Sequence, residues 1–206
     1  MTQKAIIYLH GFNSASVDSS GHLLTSKDKL RVLQSFCKAK DIVLFAPNID
    51  YQDFANILED MLFEWNQWLD RGYQVTFMGS SLGGFASEYL AMLTGSSAIM
   101  INPVISPTRL LPQFMGVTTN FETGQPYQWQ QCHCDQYQQY EYKLSHYQAN
   151  IHRTILLDMA DSLLDSRQTQ AKYQDMARVV SFDGGSHSFD HMTQALAVIE
   201  SVIFSN

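Results

Sequence analysis

Positive charge is scarce in this 206-residue sequence: 13 Lys and Arg stand against 20 Asp and Glu, for a formal net charge of −7. Neutralising phosphates takes clustered Lys and Arg, so this balance argues against a nucleic-acid partner and leaves a small neutral or acyl substrate open. An apolar run of the roughly 20 residues that a bilayer span requires is also missing. Met1-Thr2-Gln3-Lys4 leads directly into a strand-like run with neither an h-region nor a small-residue cleavage site. The expectation is a cytoplasmic chain without a secretory signal. Cysteine is sparse too. Cys37, Cys132 and Cys134 form no framework, which suggests free thiols in a reducing compartment. Cys132-His133-Cys134 supplies too few well-spaced ligands for a metal, so none is expected.

What the sequence does contain is enough apolar residue, 45%, for one domain with a full core. Short apolar runs alternate with helical stretches from end to end. Strands are expected at 5–10, 42–46, 75–79, 98–102, 154–159 and 179–182, each apolar or β-branched enough to be buried on both faces. Between them, 53–71 carries Phe54, Ile57, Leu58, Met61, Leu62, Trp65, Trp68 and Leu69 at helical spacing, with Asp53 placed to cap its start and Gly72 its end. A final helix begins at about Asp190. This alternation implies an α/β fold: a mainly parallel six-stranded sheet with helices on both faces. Active sites of such sheets lie beyond the carboxyl ends of the strands.

One stretch breaks the pattern. Residues 104–150 contain no convincing strand, and Tyr137, Tyr140, Leu144 and Tyr147 recur at the spacing of a short helix. The whole chain, 1–206, is expected to be a single domain with this stretch as an insertion. It either packs an aromatic stripe on the core or forms a lid that shapes an acyl pocket. No repeat or inter-domain linker interrupts the rest.

The motif richest in chemistry is Gly79-Ser80-Ser81-Leu82-Gly83-Gly84, a G-x-S-x-G pattern between a strand and a helix (85–93). A serine forced into so sharp a turn needs neighbours without side chains, and the helix start directs N–H groups toward any developing oxyanion. Ser80 occupies an x position and would point elsewhere. A serine nucleophile needs a base, and the base an orienting acid, in the chain order Ser, Asp or Glu, His for this type of turn. His187, in Gly184-Gly185-Ser186-His187-Ser188-Phe189, follows the last strand. Asp161 follows the preceding strand, with Asp165 the next candidate. Asp158 falls within the strand pattern, His191 starts the last helix, and His152 lies at the wrong end of a strand. Near the N-terminus, His10-Gly11 follows the first strand; the N–H of Phe12 and that of Leu82 are the candidate oxyanion donors. His10 itself reads as structural.

Together these motifs resemble the YqiA-type esterases, small bacterial members of the α/β-hydrolase superfamily. The resemblance covers nearly the whole chain. It rests on Tyr8-Leu9-His10-Gly11-Phe12-Asn13-Ser14, Gly79 to Gly84, Asn102-Pro103, Thr123-Gly124-Gln125, Asp161-Ser162-Leu163-Leu164-Asp165 with Arg167-Gln168, and Gly184 to Phe189. The chain departs from the family pattern at Ala160, where glycine is usual, and at Ser186, where asparagine is usual. The resemblance implies an α/β-hydrolase fold, a triad of Ser81, Asp161 and His187, and hydrolysis of small-molecule acyl esters or thioesters without a cofactor. Two other readings of the same residues are an amidase or peptidase and a non-catalytic hydrolase-like binding module. The retained Ser-Asp-His order speaks against the second. The oligomeric state is left open.

Overall fold

Strand side chains alternate between the two faces of a sheet, so strands that are apolar throughout need cover on both sides. The computed structural model describes residues 2–24, 28–147 and 151–205. The chain runs β1 (Gln3–Leu9), α1 (Asp28–Ala39), β2 (Ile42–Phe45), α2 (Phe54–Asp70), β3 (Tyr73–Ser80), α3 (Leu82–Thr94) and β4 (Ser97–Ile101). It continues through α4 (Pro107–Leu110), a 3-10 turn (Leu111–Phe114), β5 (Gly116–Thr119), β6 (Pro126–Trp129) and α5 (Gln131–His146). It closes with β7 (Arg153–Asp158), α6 (Ser166–Tyr173), β8 (Arg178–Phe182) and α7 (Met192–Phe204).

Six strands form one parallel sheet in the order β2-β1-β3-β4-β7-β8. Ala5, Ile7, Leu9, Phe77, Met100 and Leu157 face a core shared with α2, α3, α5 and α6. Their neighbours Ile6, Tyr8, Met78, Ile101 and Leu156 face the opposite way, onto α1 and α7. Helix α3 is buried around almost its whole circumference, as its mainly apolar sequence requires, and the burial takes in Ser87 and Glu88 as well. Helix α2 starts where expected, the Asp53 carboxylate accepting the Asn56 N–H, and Gly72 leaves it at φ 82°.

The topology locates the site. From β1 the chain moves out to the edge strand β2, then crosses back to lay β3 on the other side of β1. Connections therefore leave β1 and β3 in opposite directions, and a crevice opens at their carboxyl ends.

Three local expectations need correction. The first apolar run ends at Leu9, so His10 lies in the following loop. The region expected to lack strands holds the antiparallel pair β5 and β6, paired from Gly116 with Trp129 to Thr119 with Pro126. Four residues present only two inward positions, too few for a period-2 pattern to register. Helix α5 is longer than a short helix, spanning Gln131–His146, and Tyr147 lies exposed beyond its end. Tyr137 and Tyr140 are buried, their rings 4.9 and 4.7 Å from that of Phe54. Such aromatic pairs contribute about 1 kcal/mol each beyond the area they bury. Residues 148–150, the end of the expected insertion, and the chain ends Met1 and Asn206 lie outside the described residues.

Candidate active site

Strand β3 stops at Ser80 and α3 begins at Leu82, so the reversal between them falls on Ser81 alone. Its backbone stands at φ 56° and ψ −122°, a region closed to most L-residues and costing on the order of 1–3 kcal/mol. Neighbouring strands hold it there. The Ser81 N–H donates to the Ile101 carbonyl (2.9 Å), and the Ser81 carbonyl accepts from Gly84 (2.9 Å) and Val104 (3.0 Å). The turn closes only because two residues lack side chains. A Cβ on Gly79 would stand 2.1 Å from the Gly83 carbonyl oxygen, and one on Gly83 2.1 Å from that of Leu9.

Two loops converge on Ser81. His187, in the loop after β8, places Nε2 3.0 Å from Ser81 Oγ. Its Nδ1 lies 2.7 Å from Oδ2 of Asp161, in the turn after β7. Asp161 Oδ1 accepts the N–H groups of Leu163 (2.8 Å) and Leu164 (2.9 Å), fixing the carboxylate from behind. Burial pushes the Asp161 pKa up, but the His187 hydrogen bond and the two amides outweigh it and hold the carboxyl below its usual value. An anionic Asp161 accepts the Nδ1–H of His187, which leaves Nε2 with a lone pair facing the serine hydroxyl.

The other candidates fall elsewhere. The Asp165 carboxylate caps α6, accepting from Arg167 (3.0 Å) and Gln168 (3.1 Å). Asp158 and His191 pair with each other, Oδ1 to Nδ1, at 2.7 Å. His152 is exposed before β7. Ser80 Oγ accepts from Lys29 Nζ at 2.7 Å. His10 holds its loop, its Nε2 accepting the Ile49 N–H (2.8 Å) and its carbonyl accepting the Tyr51 hydroxyl. Leu82, as the first residue of α3, has no acceptor for its N–H within the helix. Gly11 lies against the serine, since a Cβ there would be 3.1 Å from Ser81 Cβ, and Phe12 follows it into the cavity.

The model of the uncharacterised protein family UPF0227 matches residues 5–203. The chain belongs to this family, the YqiA family. Solved structures with the same fold include an α/β-hydrolase-superfamily assignment from Xanthomonas campestris pv. campestris, at 16% identity and a TM-score of 0.65 over 99% of this chain and 100% of that one. Est1E from Butyrivibrio proteoclasticus matches at 13% identity and a TM-score of 0.69, over 99% and 88%. A protein from Agrobacterium vitis S4, described as a hydrolase, matches at 14% and 0.73, over 98% and 88%. At these identities the likeness is one of fold: the α/β-hydrolase fold.

In this UPF0227 member a cavity of about 730 Å³ opens onto Ser81 and His187. Phe12, Leu110, Phe114, Phe121 and Leu163 give it an apolar wall, three of them from the stretch between β4 and β7. The aromatic stripe of α5 packs on α2 and α3, with Tyr140 against Phe54 and Tyr89. The Cys132-His133-Cys134 tripeptide is dispersed: Cys132 is exposed, Cys134 is buried under the Trp129 N–H, and His133 Nδ1 accepts the Gln130 N–H. No cluster of metal-ligating side chains occurs among the described residues. None of their helices is long and apolar enough to cross a membrane. Sequence reasoning missed the anchoring contacts of Asn102, Asn13 and Tyr51, because each acts on residues far along the chain.

Proposed function

We propose that this protein is a serine hydrolase of small-molecule carboxylic esters, working through a triad of Ser81, His187 and Asp161. The observation that carries the reading is the unbroken hydrogen-bond chain from Ser81 Oγ through the two nitrogens of His187 to Asp161, with distances of 3.0 and 2.7 Å.

In this mechanism His187 Nε2 takes the Ser81 proton as Oγ attacks the ester carbonyl. Asp161 keeps the imidazole in the required tautomer and balances the positive charge it gains. The N–H groups of Phe12 and Leu82 hold the oxyanion, and the α3 N-terminus adds its dipole. The tetrahedral species collapses, His187 returns the proton to the departing alcohol, and an acyl group remains on Ser81. Water, deprotonated by the same imidazole, then releases the acid. The insertion between β4 and β7 serves as the wall of the acyl pocket, and its apolar lining favours an alkyl or aryl group there. Est1E has been solved with ferulic acid bound, an aromatic acid of this general kind.

The test is turnover of matched aryl ester, thioester and amide substrates, alongside labelling by a fluorophosphonate. The expected result is fastest turnover of the oxygen ester and a single adduct on Ser81. Ser81→Ala should remove both while the protein stays folded, with a rate loss of roughly 10⁴-fold or more. A preferred amide would make the protein a peptidase or amidase. Absence of both adduct and turnover would favour the non-catalytic binding module.

A further inference from the structure

The loop that carries His187 is gathered around a carboxylate that has no place in the mechanism above. Asp158 ends β7, and its side chain is fully buried. Its Oδ2 accepts the backbone N–H groups of Ser186 (3.1 Å) and Asp190 (2.7 Å), which flank His187 on either side. Its Oδ1 takes His191 Nδ1 at 2.7 Å, and the His191 ring stacks on Phe182 with centroids 5.1 Å apart and planes inclined by 10°. Asn102, just past β4 at φ 39°, closes the arrangement. Its Oδ1 accepts the Asp158 N–H (2.9 Å), and its Nδ2 donates to the carbonyls of Ser186 (3.0 Å) and His187 (3.4 Å).

A buried carboxylate is costly unless its lone pairs are filled. Among the described residues, the hydrogen bonds to the Asp158 carboxylate come from one short stretch, 186–191, which is the loop of His187 and the N-cap of α7. The approach is so close that a Cβ on Gly185 would lie 2.0 Å from Asp158 Oδ2. Asp158 therefore sets the path of the His187 loop. It ends the strand whose next turn carries Asp161, so a single strand end positions both the His187 loop and the carboxylate that His187 meets.

We propose that Asp158 is a positioning residue that, through His191 and Asn102, clamps the His187 loop so that the imidazole spans Ser81 and Asp161. This rests on the triad reading of the site. The carboxylate never meets substrate; it limits how far His187 wanders. Misplacing a reacting group by about 1 Å costs up to roughly 100-fold in rate.

The experiment compares Asp158→Asn, His191→Leu and His191→Asn with the full-length parent. The asparagine in the last variant returns an N–H donor near the place of Nδ1. The expected result is a kcat lower by about 100-fold in Asp158→Asn and about 10-fold in His191→Leu, with KM changed less than about twofold and largely restored kcat in His191→Asn. A second readout needs no turnover: the low-field proton resonance of the His187 Nδ1–H, which reports its bond to Asp161, should be sharp in the parent and lost in Asp158→Asn and His191→Leu. If both variants lose only thermal stability while kcat and the resonance stay as in the parent, the clamp is overturned. Should Asp158→Asn fail to fold, the His191 pair decides alone, since that ring is partly exposed at the start of α7. A parent that turns over no ester but shows the resonance, and loses it in the variants, would refute the ester-hydrolase reading and leave the clamp standing.

Discussion

The side-chain amide of Asn13 donates to Thr118 Oγ1 at 2.9 Å, tying the loop after β1 to a strand 105 residues further along the chain. Asn13 stands at φ 55°, and its own Oδ1 accepts the Tyr127 hydroxyl. Its carbonyl accepts the Phe121 N–H (2.9 Å), and the Asn120 amide reaches the Ser14 carbonyl (2.9 Å). The ring of Phe12 is enclosed by Phe114 and Trp129, with centroids 5.3 and 4.7 Å away. The β5–β6 hairpin thus braces the loop whose Phe12 N–H is the proposed oxyanion donor.

Loosening that brace should cost catalysis as well as stability. Thr118→Val and Tyr127→Phe each remove one partner of Asn13, worth about 1 kcal/mol of stability. Each should lower kcat on an aryl ester by about fivefold, and the pair more steeply. Urea titration reads the stability change and steady-state kinetics the rate. An unchanged kcat in the double variant would leave the hairpin with a role in folding alone.

The two candidate acids should separate cleanly. Asp161→Asn should lower kcat by about 10⁴-fold, because an amide facing Nδ1 favours the wrong imidazole tautomer. Asp165→Asn should stay within about twofold, since asparagine caps a helix as well as aspartate. Stability should follow the Asp161 titration. Its carboxyl sits below the usual value in the folded state, so the folded protein resists protonation. The stabilisation is complete above the unfolded carboxyl pKa of about 4 and is lost as pH falls through the lower folded value. The difference in unfolding free energy between parent and Asp161→Asn should therefore shrink as pH drops below about 4. The opposite slope would contradict the assignment, and the reverse kinetic ranking would move the role to Asp165.

At the other end of β7, Arg153 Nε lies 2.6 Å from Glu88 Oε1, and the Tyr173 hydroxyl donates to Glu88 Oε2 at 2.6 Å. The two charged side chains are 7% and 5% exposed. Arg153→Met strands a buried carboxylate and should cost about 3–5 kcal/mol of unfolding free energy. The double variant Glu88→Gln, Arg153→Met should recover part of that loss, because no uncompensated charge is left. Chemical denaturation measures both. Far from the carboxyl ends of the strands, these changes should leave kcat at the parent value for the folded fraction.

What could be read from the sequence were features whose causes act over a few residues. Near-continuous apolar runs made β1, β3, β4 and β7 visible, because a strand covered by helices on both faces is apolar at most of its positions. The turn at Ser81 was visible because Gly79 and Gly83 are demanded by sterics within one reversal of the chain. The order Ser81, Asp161, His187 followed from the alternation itself, each residue falling just past a strand. The hairpin escaped because its strands are too short to show a period.

The sequence put Asp161 ahead of Asp165 by loop position alone, and the contacts themselves depend on where two loops meet: Asp161 reaches His187, while Asp165 faces its own helix. Asp158 and His191, read separately as a strand residue and a helix-start residue, become partners only when β7 and α7 are packed together. Local sterics and periodicity are written into neighbouring residues. A hydrogen bond between residues 105 apart depends on how every intervening element packs, and tertiary structure alone decides it.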